Sequence, residues 1–376
     1  MSLSPDPRSL AAALPAPVAA ELTVVSPTFN ERANVAPLVA KLEAALEGVR
    51  WEVLFVDDDS PDGTIEAVKE LAQVDPRVRG LRRVGRRGLA GAVIEGALAS
   101  AAPFVAVIDA DMQHDETLLP RMLERLRAGD VELVVGSRYL ETAGPDDGLS
   151  PFRKLGSQLA TALARQALGV EVTDPMAGFF MIRRETIERV APRLSPAGFK
   201  VLFDIIATHP KPLGVAELPY SFKDRTAGES KMDARVVVEY LGLLAAKMTG
   251  DIVPPRLVFF ALIGGGGLLA QALALAAIVG LAPTVPLAQA AGAAAAVGAV
   301  VTFFVANGLA YRARRRKGWR LTSGFLQFAA AAAFGVAGDV AIALALASNG
   351  VPPLSAALAG ALCGAVWNYA VALAMF

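Results

Sequence analysis

Four apolar stretches, residues 257–281, 287–311, 321–348 and 353–376, constrain this 376-residue chain more than any other feature. Each runs about 22–28 residues, enough to cross ~30 Å of hydrocarbon at a helical rise of 1.5 Å per residue. From Arg256 onward Asp339 is the only acidic residue, and the basic ones are Arg256 and a group between Arg312 and Arg320. A buried Ala-rich helical domain is the alternative, but the stretches are too long and too nearly uncharged for it. Four glycines at 264–267 lie within the first stretch, and no strand precedes them to make a nucleotide loop, so they read as close helix packing.

The balance of 36 basic and 36 acidic residues conceals a mildly acidic N-terminal part and a basic C-terminal part. The loop after the second stretch carries Arg312, Arg314, Arg315, Arg316, Lys317 and Arg320, whereas the loops around Pro283 and Pro352 are uncharged. Basic loops stay on the cytoplasmic side, so this loop, both termini and everything before the first span are expected there. A lone cysteine, Cys363, rules out an intramolecular disulfide and a cysteine metal cluster. Two histidines, His114 and His209, are too few for a histidine metal site. No nucleic-acid partner is implied, and the membrane segments are the expected place for any self-association.

Residues from about 20 to 230 have a different character. Short apolar runs at 22–26, 51–56, 78–82, 104–108 and 132–136 read as strands. Amphipathic stretches at 35–46, 64–72 (with Asp62 as N-cap), 88–100 and, after the 104–108 strand, one ending at Leu126 read as helices. This alternation predicts an α/β fold with a doubly wound, mostly parallel sheet, followed by an all-α domain of four transmembrane helices. Between the two, residues 233–252 place apolar side chains at helical spacing with charges among them. They are expected to form an amphipathic helix, lying on the membrane surface or packed on the α/β domain. The first residues are rich in Ala and Pro and lack the features of a secretory signal. The expected division is a disordered leader at 1–20, the α/β domain at 21–232, the interfacial helix at 233–254 and the four-span domain at 255–376.

The chemistry gathers at the carboxyl ends of the strands, where open α/β sheets bind ligands. Phe104-Val-Ala-Val-Ile-Asp-Ala-Asp-Met-Gln-His114 reads as a buried strand ending in two carboxylates one residue apart. Strand alternation would project Asp109, Asp111 and Gln113 to one side. Two carboxylates and an amide oxygen are hard ligands suited to Mg²⁺ or Mn²⁺ bridging to phosphates. The competing reading is an Asp-rich turn capping the next helix, because Asp115 and Glu116 sit near its start. Other strand ends give Pro27-Thr-Phe-Asn-Glu31, Asp57-Asp-Asp-Ser-Pro-Asp-Gly-Thr64 and Gly136-Ser-Arg-Tyr139.

These motifs, in this order, resemble those of the family 2 inverting glycosyltransferases of GT-A fold, and most of all the polyprenyl- (dolichyl-) phosphate mannose synthases. The resemblance runs from about Leu22 to Lys231 and includes Asp174-Pro-Met-Ala-Gly-Phe-Phe180 and Asp224-Arg-Thr-Ala-Gly-Glu-Ser-Lys231. More loosely, the membrane half resembles the four-span domain often attached to such synthases. The resemblance implies that Pro27, Phe29, Glu31, Val56 and Asp58 hold the nucleobase and ribose. It implies that Asp109, Ala110, Asp111 and Gln113 meet the donor diphosphate, with Asp109, Asp111 and Gln113 as metal ligands and His114 as their neighbour. Arg138 would face phosphate, with a surface ion pair as the alternative. Arg153 and Ser157, four apart on an expected helix over 150–168, would meet the lipid phosphate. Arg225 and Lys231 would close on the diphosphate as a lid, and Arg86 and Arg87 are further candidates to face phosphate. The chain departs from the usual pattern at Phe29, where many relatives carry Tyr, and at Asp115, where Pro is frequent; neither change removes a ligand.

The implied activity is metal-dependent, inverting transfer of mannose from GDP-mannose to a polyprenyl monophosphate at the cytoplasmic membrane face, with Asp109, Asp111 and Arg138 as the catalytic groups. The implied partners are a nucleotide sugar, a polyprenyl phosphate lipid and the membrane. UDP-glucose or another nucleotide hexose is the nearest alternative donor. Lipid-sugar transport or scaffolding by the membrane half is a reading of another class. A processive polysaccharide synthase would carry Gln-x-x-Arg-Trp after its core, and none is present. A dehydrogenase would need Gly-x-Gly-x-x-Gly after the first strand, which is also absent.

Overall fold

The computed structural model describes residues 19–140, 172–196, 200–210, 212–220, 234–252, 256–309 and 316–375. Residues 1–18 of the expected leader and the expected 150–168 helix lie outside them. The chain divides into two compact units, Met1–Lys231 and Met232–Phe376.

In the first unit β1 (Leu22–Thr28), β2 (Trp51–Asp57), β3 (Val78–Arg82) and β4 (Phe104–Val107) alternate with α1 (Arg32–Ala45), α2 (Thr64–Ala72) and α3 (Leu89–Leu98). Next come α4 (Leu119–Arg127), β5 (Leu133–Ser137), β6 (Phe180–Arg183), α5 (Arg184–Val190), α6 (Val201–Thr208) and β7 (Val215–Pro219). The seven strands lie in the order β3-β2-β1-β4-β6-β5-β7. Central strands are buried on both faces and so read as continuous apolar runs; β4 is Phe-Val-Ala-Val, with all four residues buried. The sheet is parallel except at β6, which runs antiparallel to both β4 and β5.

On one face of the sheet, Leu38 and Leu42 of α1, Ile65 and Val68 of α2, and Met122, Leu123 and Leu126 of α4 join the strands in one core. Helix α3 lies close to the strands at Gly96, where a β-carbon would stand 2.5 Å from Val25 Cγ1 and 2.9 Å from Val56 Cγ2. Helix α2 begins at a hydrogen-bonded turn in which Asp62 Oδ1 accepts from Thr64 N at 3.0 Å and Thr64 Oγ1 at 2.6 Å. The N-cap position itself is Gly63, at φ 86°.

Non-glycine residues in the left-handed region stand just beyond three of the parallel strands: Asn30 (φ 60°) after β1, Asp59 (φ 59°) after β2 and Met112 (φ 65°) after β4. Asn and Asp tolerate that conformation through local hydrogen bonds; Met does not share this advantage, and its placement marks a turn held by its surroundings.

The second unit is helical: α7 (Ala234–Met248), α8 (Arg256–Leu281), α9 (Leu287–Leu309), α10 (Trp319–Ser348) and α11 (Pro353–Met375). The last four span 26, 23, 30 and 23 residues, and each is long and apolar enough to cross a membrane. They turn large side chains outward, with Leu269 62%, Leu273 63% and Phe334 74% exposed, around fully buried Phe303 and Phe328. An exterior this apolar suits lipid rather than water. The helices approach closely through small residues, as membrane helices do: a β-carbon on Gly267 would sit 3.0 Å from Gly298 O in α9, and one on Gly364 would sit against the Asp339 side chain in α10. Helix α7 buries Val238, Leu243, Leu244 and Ala246 and packs against α8 and α9, while Leu241 and Met248 are exposed.

Candidate active site

Strand β4 ends at Val107, so Asp109 and Asp111 lie in the loop beyond it. Strand alternation therefore does not set their directions, contrary to the expectation; a tight turn does. Ala110 is 2% exposed and anchors the loop in the core between them. The chain then passes through left-handed Met112, and Asp111 Oδ1 accepts from Gln113 N at 3.2 Å. Asp111 and Gln113 are buried, whereas the Asp109 side chain is 31% exposed. The helix-capping reading belongs to the neighbour: Asp115 Oδ1 accepts from Thr117 N at 3.3 Å and Thr117 Oγ1 at 2.8 Å.

His114 braces the turn from behind. Its Nδ1 lies 2.9 Å from the Tyr220 hydroxyl and its Nε2 3.4 Å from Asp109 Oδ2. Phe179 stacks on the imidazole at 5.2 Å between centroids, and Tyr220 meets Phe179 edge-on at 5.5 Å. Gly178 faces Asp109 so closely that a β-carbon would stand 3.0 Å from Oδ2. Burial holds the Tyr220 phenol well above its usual range, so it stays protonated.

Beside this cluster lies a buried ion pair. Arg138, just past β5, donates from Nε to Asp174 Oδ2 at 2.7 Å and from Nη2 to Oδ1 at 3.1 Å. Asp174 has no exposed surface. Burial works against the guanidinium charge, but Asp174 more than offsets this and holds the group above its ordinary value. Two of the Arg138 nitrogens expected to meet phosphate are thus committed to a carboxylate, because a buried Asp must be paired. Lys200, ahead of α6, is partly buried and feels Arg138, Asp174 and Asp109 electrostatically. Burial first, and then the Arg138 charge, bring its ammonium down to about 8.

The ends of β1 and β2 form a second area. Both Asp58 oxygens are engaged by protein donors: Arg83 Nη1 reaches Oδ1 at 2.5 Å and Gly88 N reaches Oδ2 at 2.6 Å. Burial raises the Asp58 carboxyl, with Gly88 and Arg83 acting against it. Asp58 thereby ties β2 to the segment leading into α3, and a ribose hydroxyl would share only its remaining lone pairs. The Val56 side chain is fully buried against α3 at Gly96, which leaves its backbone alone to meet a ligand. Pro27 and Phe29 are partly exposed, and Arg87 lies 4.6 Å over the Phe29 ring. Glu31 accepts from Asn34 Nδ2 at 2.7 Å. Arg86 pairs with Glu95 at 3.0 Å, which accounts for it without a phosphate. Arg153, Ser157, Arg225 and Lys231 lie outside the described residues.

Residues 23–191 match Glycosyl transferase family 2, and residues 259–375 match the GtrA/DPMS transmembrane domain. A dolichol-phosphate mannosyltransferase of Pyrococcus furiosus is 36% identical over 251 residues, 66% of this chain and 70% of that protein. The Saccharomyces cerevisiae protein of the same name is 33% identical over 229 residues, 59% of this chain and 84% of its own length. The chain belongs to glycosyl transferase family 2, among the dolichol-phosphate mannosyltransferases. Among solved structures, glucosyl-3-phosphoglycerate synthase of Mycobacterium tuberculosis aligns with a TM-score of 0.49 and 17% identity, over 64% of this chain and 82% of that one.

As a family 2 glycosyltransferase with an attached transmembrane domain, the protein is an integral membrane enzyme. Among the described residues no three His, Cys, Asp or Glu side chains gather as a metal cage. By donor chemistry, the carboxylates of Asp109 and Asp111 and the Gln113 amide oxygen suit a hard divalent ion, which would take water and phosphate oxygens besides. The Gly178 backbone leaves room beside Asp109 that a side chain would fill.

Lys200 and the buried Arg83 escaped the sequence reading. Arg83 directly follows β3 within an Arg-rich run, where nothing local distinguishes a buried arginine from a surface one. Lys200 is a single cation immediately ahead of the apolar Val201-Leu-Phe203, the pattern of a charge drawn inward with a helix start.

The Lys200 shift has a signed consequence. A lysine lowered to about 8 is neutral in the fold above that pH, while the unfolded chain stays protonated to about 10.4. Between those values the unfolded state binds more protons, so stability rises with pH. Affinity for a nucleoside diphosphate should move the other way, falling as pH passes about 8 and the site loses a cation. Lys200→Arg should carry the affinity through that window. Calorimetric titration at several pH values checks this, and an identical fall in Lys200→Arg contradicts it.

Proposed function

We propose that this glycosyltransferase moves mannose from GDP-mannose to a polyprenyl (dolichyl) monophosphate, inverting the anomeric centre to give a β-linked lipid product at the cytoplasmic membrane face. The observation that carries this reading is the Asp109–Gln113 turn set beside the Arg138–Asp174 pair and Lys200, in a chain that also has four spans. Anionic ligands for a divalent ion and cations for phosphate thus lie together. Relatives at 33–36% identity bear the name dolichol-phosphate mannosyltransferase, which supports this acceptor and sugar.

The acceptor phosphate is already an anionic nucleophile, so no strong general base is needed. The protein's task is to hold it in line with the sugar carbon. Asp109, Asp111 and Gln113 would hold Mg²⁺ or Mn²⁺, which when bound neutralises charge on the departing diphosphate. His114, linked to Asp109 and Tyr220, fixes the carboxylate's direction, as outer partners of metal ligands do. Lys200 and the exposed edge of Arg138 favour the diphosphate electrostatically. The Phe29 ring, with Arg87 on its face, offers a stacking platform for the base. Arg153 and Ser157 are assigned to the lipid phosphate, and Arg225 and Lys231 to closure over the diphosphate. The amphipathic α7 and the basic loop between α9 and α10 are assigned to the cytoplasmic interface, where each basic residue adds ~1 kcal/mol toward anionic lipid.

Purified protein offered nucleotide sugars with polyprenyl phosphate should give polyprenyl-phosphate-mannose from GDP-mannose, identified by mass spectrometry. A product formed only from UDP-glucose would reassign the donor. Asp111→Ala should abolish turnover and Mn²⁺ binding, measured by electron paramagnetic resonance, while leaving the fold intact; full activity of that variant in chelator would defeat the metal assignment.

Arg153→Ala should raise the apparent KM for lipid phosphate by about ten- to a hundred-fold, the worth of a charge-assisted contact of roughly 1.5–3 kcal/mol. Donor affinity should change less. Lost donor affinity with unchanged lipid kinetics would assign Arg153 to the other substrate.

Reporter fusions should place the turns around Pro283 and Pro352 outside and the 312–320 loop inside. The opposite map would place the catalytic unit on the wrong face for a cytoplasmic donor.

A further inference from the structure

A single acid sits in the middle of the four-span bundle. Asp339 of α10 is 3% exposed. Its Oδ2 accepts from Gln271 Nε2 of α8 at 2.8 Å, and its Oδ1 accepts from Gly364 N of α11 at 3.1 Å. Gln271, Asp339 and Gly364 are each about ten residues from the helix ends at the Pro283 and Pro352 turns. At 1.5 Å per residue they lie roughly 15 Å deep, near the centre of a bilayer's hydrocarbon. The setting is dense. A β-carbon on Gly360 would meet the Asp339 backbone, and one on Gly364 would meet its carboxylate.

One turn farther along α11, Asn368 is 5% exposed, and its Oδ1 has no hydrogen-bond partner among the described residues. That oxygen faces α10 at Gly335, where a β-carbon would stand 3.2 Å from it. Gly335 is one turn before Asp339, so the orphaned acceptor and the carboxylate share the α10–α11 contact. Both donors to Asp339 are neutral. No Lys, Arg or His occurs in residues 257–309 or 321–375 to balance the charge. An unbalanced carboxylate at membrane depth is costly, and an acceptor oxygen without a donor adds to the cost. Two oxygen-bearing groups lacking positive charge call for a small cation.

We infer that the membrane half contains a small monovalent-cation site, formed by the oxygens of Asp339 and Asn368, that takes a proton or a sodium ion, while the Gln271 amide N–H steadies the carboxylate. The site is independent of the sugar-transfer chemistry. It makes the packing of α8, α10 and α11 sensitive to that cation.

The test uses the full-length protein in lipid nanodiscs, with sodium exchanged for choline at constant ionic strength. If sodium is the occupant, Tm should rise by about 3–6 °C at sodium ten times its dissociation constant. Asp339→Asn should abolish that rise, and Asn368→Ala should shift the sodium midpoint by about tenfold. If a proton is the occupant, Tm is flat in sodium, and infrared spectra of the wild type show a protonated carboxyl band. Asp339→Asn removes that band, and Asn368→Ala, which keeps the acid, moves it. A Tm indifferent to sodium with Asp339 wholly ionised overturns the inference. So does a sodium response or carboxyl band that Asn368→Ala leaves unchanged.

Discussion

The pairing of Asp174 with Arg138 holds the catalytic end of the first unit in its form. A carboxylate with no exposed surface cannot stand alone, and removing either partner of such a pair typically costs about 3–5 kcal/mol. Arg138 follows β5 directly, and Asp174 lies in the segment that leads into β6. The pair therefore brings that segment back over the carboxyl ends of the strands. Glu217 of β7 fastens the same segment by accepting from Thr173 N at 2.9 Å and Thr173 Oγ1 at 2.6 Å. With the segment fixed, Gly178 backs onto Asp109 and Phe179 onto His114. The antiparallel β6 is the continuation of this return, and it places the acidic turn, the phenol and the two cations in one neighbourhood.

Much of this was legible before any coordinates. The five parallel runs and the four long apolar stretches follow from periodicity and length, which depend on nearest-neighbour geometry alone. The spans came out within a few residues of their expected limits wherever the described residues reach. Strands β6 and β7 were missed: Phe180-Met-Ile-Arg183 is only four residues long and has no alternation to mark it, and the five residues of β7 are all partly exposed. The acidic turn was expected in a geometry it does not have. Strand alternation was extended past Val107, whereas the chain turns at Met112. Pairings between distant segments, such as Arg83 with Asp58 and Arg138 with Asp174, depend on the tertiary fold and leave no local trace. Arg138 was expected to face phosphate or to form a surface ion pair, and its partner proves to be a buried carboxylate.

The two units handle polar groups by opposite means. In the first, buried charges meet opposite charges: Arg83 lies between Asp58 and Glu95, and Asp174 meets Arg138. In the second, neutral amides and close backbone approach take that place, because a bundle facing lipid has few charges to spare and cannot export them to water. Glycine serves both. Gly96 lets α3 settle on the sheet, and Gly360 and Gly364 let α11 reach the backbone and side chain of Asp339.

That last approach bears on how the chain enters the membrane. An aspartate at the centre of a span costs about 2.5–3.5 kcal/mol on the biological insertion scale, against a gain of only about 0.3–0.6 for each Leu, Ile, Phe or Val. Helix α10 carries its acid among small residues, including five consecutive alanines at 329–333, so the acid cancels part of the apolar gain as the helix leaves the translocon. Synthesis delivers α8 first, so the Gln271 amide is already in the bilayer when Asp339 arrives, whereas Gly364 follows only with α11. The order of the helices along the chain thus supplies the acid with its first partner, the Gln271 amide, before its second, Gly364, exists.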